Sequence, residues 1–127
     1  TLSLTDNQSR WLAELRSGKY KQGTGALHCG DEFCCLGVAA KMFATGATRV
    51  TLAPLAPITR PELKLVSYNG CTASAPLYVV EALGLRGNCG EGVACPSLSS
   101  LNDNSKSFSR IADIIESDPE RYFKCPS

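Results

Sequence analysis

The sequence predicts an α+β fold: a small antiparallel sheet around a β-hairpin, with about four helices packed on it, in one domain over residues 1–127. Three observations carry this expectation. Apolar residues recur at helical spacing near both ends of the chain, around Trp11 and around Ile111. Between them, "LHCGDEFCC" sets Gly30-Asp31 between two short runs, the pattern of a two-residue hairpin turn with glycine first. No internal repeat or low-complexity linker divides the 127 residues.

The elements follow in order. "SLTDNQSRWLAELRSG" reads as a first helix, with Thr5 as N-cap and Gln8 completing a capping box. Trp11, Leu12 and Leu15 make its apolar face, and Gly18 ends it. The hairpin register opposes Cys29 to Glu32, His28 to Phe33, Leu27 to Cys34 and Ala26 to Cys35. A second helix starts near Cys35 or Leu36 and ends before Gly46. Pro54, Pro57 and Pro61 forbid a regular central element, so only "LKLVSY" reads as a strand in that region. A third helix is expected from Ser74-Pro76 to Gly84, with Leu77, Val80 and Leu83 buried. "LNDNSKS" reads as a turn that launches a last helix capped by Ser107, with Phe108, Ile111, Ile114 and Ile115 on its inner face. Asp118-Pro119 restarts a short terminal turn.

Composition narrows the function. With 43% hydrophobic and 20% charged residues the chain has the profile of a soluble domain with a core of its own, burying roughly two-thirds of its unfolded surface. Thirteen basic against twelve acidic residues, scattered along the chain, give no basic stripe, so no nucleic-acid partner is expected. No run approaches the ~20 apolar residues of a membrane span. The first residues lack the charged and apolar regions of a signal peptide, which makes a cytoplasmic location the expectation. In that compartment the seven cysteines are expected as free thiols. No cofactor is implied: "GTG" and "GNCGEG" lack the Gly-Lys-Ser/Thr of a phosphate loop, and "LNDNSKS" lacks the glycine and late glutamate of a calcium loop.

Several phrases occur together: "W…LRSGKYKQG", "G.L…G…FCCLGV", "P..V.EALGL" and "L..LND…SF..IADIIE.DP". In that order they resemble a group of small proteins of phages, prophages and other mobile bacterial elements, over roughly Trp11 to Pro119. Between Ala47 and Asn69 no shared motif is found. The resemblance implies an accessory protein of a mobile element and assigns it no reaction.

Candidate chemistry centres on the cysteines and the single histidine. In the hairpin register His28 and Cys35 are diagonal neighbours on one face, about 7–8 Å apart. Cys35 also opens a helix, where a thiolate is favoured. A thiolate beside an imidazole is the minimum for nucleophilic catalysis, and Asn102 or Asp103 would have to supply an orienting group. The plain alternative is that both residues pack, as cysteines commonly do. Cys29, Cys34, Cys89 and Cys95 could form a zinc site only if the late loop folds over the hairpin, and their gaps of four and five residues exceed usual ligand spacing. Cys89 and Cys95 could pair under oxidation, Cys71 has no partner in sequence, and Cys125 is expected to be exposed. Asn102 and Asp103 are also candidate binding residues, because polar loop positions meet ligands. The leading expectation is a non-enzymatic protein that binds a host protein or a small molecule. A thiol-dependent enzyme using Cys35 and His28 comes next, and a structural zinc protein third. The oligomeric state is left open.

Overall fold

A computed structural model of the chain describes residues 4–24, 26–54, 64–93, 95–104 and 106–124. The fold is α+β. Helix α1 spans Asp6–Arg16 and β1 spans Lys21–Gln22. β2 (His28–Cys29) and β3 (Glu32–Phe33) form the hairpin, and α2 (Cys35–Met42) follows at once. β4 (Val50–Pro54) and β5 (Lys64–Tyr68) precede three further helices: α3 (Leu77–Leu83), α4 (Leu98–Asp103) and α5 (Phe108–Ser117). A 3-10 turn, Pro119–Arg121, leads to the end.

The sheet order is β1-β3-β2-β5-β4. The hairpin has the expected register, with His28 opposite Phe33 and Cys29 opposite Glu32. Gly30 takes φ +61°, which a glycine-first turn requires. β5 adds antiparallel beside Cys29, and β4 pairs antiparallel with β5. β1 lies parallel to β3, so the sheet is not wholly antiparallel. Prolines did not prevent β4, because it lies at the sheet edge and Pro54 is its last residue. Pro57, Pro61 and Cys125 lie outside the described residues.

Helix α1 begins with the full capping box: the Gln8 amide N–H donates to Thr5 Oγ1 at 3.2 Å, and the Thr5 amide N–H donates to Gln8 Oε1 at 2.9 Å. Gln8 Nε2 also donates to the Leu83 carbonyl at 2.7 Å, so the same side chain ties α1 to α3. Helix α3 starts two residues later than its Ser74 suggested, with Pro76 as N-cap. Its buried residues are Val79 and Leu83, while Leu77 is 71% exposed, which corrects the expected stripe. Helix α4 is additional to the expected four. Ser97 caps it by accepting the Ser100 N–H at 3.2 Å, and Leu98, Leu101 and Asn102 are buried. Ser107 caps α5 in the same way, and Phe108, Ile111, Ala112 and Ile115 face inward. The core joins these residues to Trp11, Leu27, Leu36, Val38 and Phe123.

The junction between hairpin and α2 fixes the centre of the molecule. A Cβ built on Gly37 would lie 1.7 Å from the Leu27 carbonyl oxygen, so only glycine lets the helix pack on the end of β2. Trp11 Nε1 donates to the Cys35 carbonyl at 3.0 Å, fixing α1 against the same turn. Helix α1 and the chain entering β2 therefore meet at the first turn of α2.

Candidate cleft at the start of helix α2

Beside that turn lies a cleft of about 440 Å³. Cys34 and Ala26 border it from the hairpin side, and the turn after β5 contributes Gly70 through Ser74. Cys89, with Ser99 and Asp103 of α4, completes the lining. The volume falls in the range of small-molecule sites. Backbone bonds brace these walls. The Leu27 N–H donates to the Thr72 carbonyl at 2.7 Å, the Ala75 N–H to the Asn88 carbonyl at 2.7 Å, and the Ser99 N–H to the Cys89 carbonyl at 3.2 Å.

Cys34 is the N-cap of α2, and its sulfur accepts the Gly37 N–H at 3.3 Å. Burial pushes its thiol up. The Gly37 and Leu36 amides act in the opposite direction, and the Asp103 carboxylate adds to the rise.

Asn102 is completely buried and holds three segments together. Its Oδ1 accepts the Cys35 N–H at 3.2 Å and a Gln22 Nε2 proton at 3.0 Å, and its Nδ2 donates to the Gly23 carbonyl at 2.7 Å. It thereby satisfies a helix N-terminal amide that has no partner within α2. Asn102 acts as a brace behind the cleft, while its neighbour Asp103 is exposed and lines it.

His28 and Cys35 have separate surroundings. The alternation that would set Cys35 on the His28 face ends at Cys34, where the helix begins. The Cys35 side chain is fully buried, with Sγ 3.7 Å from the Leu98 carbonyl. Burial pushes its thiol well above the usual range, and neighbouring Cys34 adds to this. That is the opposite of an activated nucleophile. His28 Nε2 lies 3.0 Å from the Gly30 carbonyl oxygen, which only accepts, so the neutral ring carries its proton there. Nδ1 then accepts from the Tyr68 hydroxyl at 2.8 Å. The ring stacks on Phe33 with centroids 3.8 Å apart. Burial lowers its pKa; the Gly30 carbonyl and Asp31 oppose that, while Lys41 reinforces it. Both ring nitrogens thus have partners other than Cys35.

Among the described residues no group of three or more His, Cys, Asp or Glu is placed to hold a metal ion, which leaves the four-thiolate zinc arrangement without support. Cys95 is occupied elsewhere, with Sγ 3.4 Å from the Tyr122 hydroxyl. The described cysteines are all free. No described helix is long and apolar enough to cross a membrane. Sequence reasoning missed the roles of Cys34 and Cys71 at the cleft. Nothing local marks them, because the cleft assembles from segments separated by up to 77 residues, from Ala26 to Asp103.

Comparison with curated proteins and with solved structures gives no match. A family model described as a domain of unknown function, DUF8296, matches residues 5–81, from the cap of α1 into α3. Cys89, Ser99 and Asp103 lie beyond that match. The match covers more than half of the 127 residues, and the chain belongs to the DUF8296 family.

Proposed function

We propose that the protein is a non-enzymatic binding protein that takes a small molecule in the cleft beside α2, in the setting of a phage or other mobile element. The observation that carries the reading is the cleft itself. Its roughly 440 Å³ lie where the "FCCLGV" and "LND" segments meet, so the phrases behind the mobile-element resemblance also build its wall. Small side chains, hydroxyls and thiols line it, with one carboxylate, Asp103. Such a surface orients a ligand through a few polar groups within a mostly apolar wall. The surroundings of Cys35 and His28 favour binding over thiol catalysis, since one thiol is buried and the imidazole is occupied on both nitrogens.

A library of small-molecule fragments tested by ligand-observed NMR examines this reading. Ala73 is exposed and lines the cleft, so Ala73→Leu fills the space without touching the core. Fragments that bind the native chain are expected to lose binding to this variant while its thermal midpoint stays unchanged. Equal binding to both chains, or no binder at millimolar concentration, refutes the proposal.

A further inference from the structure

Three thiols, those of Cys34, Cys71 and Cys89, border one cleft. They differ in what holds them. Cys34 is buried and its sulfur caps α2. Cys71 and Cys89 are half-buried, and each sits in a turn outside helices and strands. Cys71 closes a tight turn, exchanging two 3.0 Å backbone bonds with Tyr68. Cys89 follows Asn88, whose carbonyl accepts the Ala75 N–H at 2.7 Å. That bond ties the two cysteine-bearing segments together, four residues after one thiol and one residue before the other.

We propose that Cys71 and Cys89 are a dithiol pair that low-molecular-weight disulfides oxidise to a disulfide across the cleft. The Cys71 thiolate attacks oxidised glutathione, forming a mixed disulfide and releasing one glutathione thiolate. The Cys89 thiolate then attacks the Cys71 sulfur, forming the intrachain bond and releasing the second. Two protein thiols are oxidised, and one glutathione disulfide is reduced to two glutathione molecules. The bond requires Cα atoms about 4.4–6.8 Å apart, a separation the two turns must reach for it to close. The chemistry involves no bound ligand, so the proposal is independent of the binding reading.

The test uses the reduced full chain, exposed to oxidised glutathione under native conditions, acid-quenched, alkylated and mapped by mass spectrometry. The expected product is lighter by two hydrogens, has two fewer alkylated thiols, and yields a peptide linking Cys71 to Cys89. Cys71→Ser and Cys89→Ser each stop at a single glutathione adduct, and Cys34→Ser still forms the bridge. If a serine variant fails to fold, phenylarsine oxide on the native chain gives a second reading. One arsenic atom then joins both sulfurs and releases one water, consuming the Cys71 and Cys89 thiols together. The proposal is overturned if both cysteines remain alkylatable, if each carries its own glutathione, or if the bridge maps to another pair.

Discussion

Replacing Asn102 by alanine removes the brace behind the cleft while leaving every cleft-lining side chain in place. The Cys35 N–H, deeply buried at the start of α2, loses its acceptor, and the Gly23 carbonyl loses its donor. An unsatisfied buried amide costs about 2 kcal/mol, and the half-exposed Gly23 carbonyl, which water can reach, about 1 kcal/mol. Gln22 retains its partners, because Nε2 also donates to the Lys106 carbonyl at 2.6 Å and Oε1 accepts the Phe108 N–H at 3.2 Å. The total loss is therefore about 3 kcal/mol. An unfolding entropy of roughly 2.1 cal/mol/K per residue over this length converts that to a midpoint about 11 °C lower. Differential scanning calorimetry measures the shift, and hydrogen exchange of the Cys35 amide locates it. A fall of less than about 4 °C, or unchanged protection of that amide, would refute the assignment of Asn102 as the brace.

Further outcomes follow from the same geometry. Gly37→Ala drives a methyl into the Leu27 backbone carbonyl, which cannot move aside as a flexible side chain would, and is expected to destabilise by about 3 kcal/mol in urea titration. Gly46→Ala, with nothing within 4 Å of its Cβ, is expected to be neutral or stabilising by about 0.4–1 kcal/mol. Iodoacetamide should label Cys35 at neutral pH only as fast as the chain opens, and labelling as fast as a free cysteine would contradict its burial. His28 is held below the ordinary histidine value, so the unfolded chain takes up its proton first as pH falls. The stability linked to the neutral ring is complete above about pH 6.5 and declines as pH falls from there toward the folded-state value. An NMR titration placing His28 above 6.5 would reverse that sign.

Much of the scaffold was legible in short-range chemistry. The Thr5–Gln8 capping box, the Ser107 cap and the glycine-first turn at Gly30 each depend on residues within three or four positions, and each is found as read. The hairpin register followed from the turn alone. What failed was decided by tertiary context. Strand alternation carried through Cys34 to Cys35 fails because the backbone turns helical there. Helix α4 has only six residues and no sequence periodicity strong enough to separate it from a turn. The edge strand β4 was obscured by its proline. In α3, Leu77 falls at helical spacing from Val80, yet the neighbouring elements cover Val79 and Leu83 instead. The cleft was the least legible feature, because Cys34, Cys71, Cys89 and Asp103 come together only through long-range packing.

Crystals of the full chain soaked with a set of small polar and apolar fragments test the central claim most directly. The account predicts fragment density between Cys34, the 70–74 turn, Cys89 and Asp103, with Asn102 unmoved behind it. Fragments gathering elsewhere on the surface, with this cleft left to solvent in every soak, would contradict it.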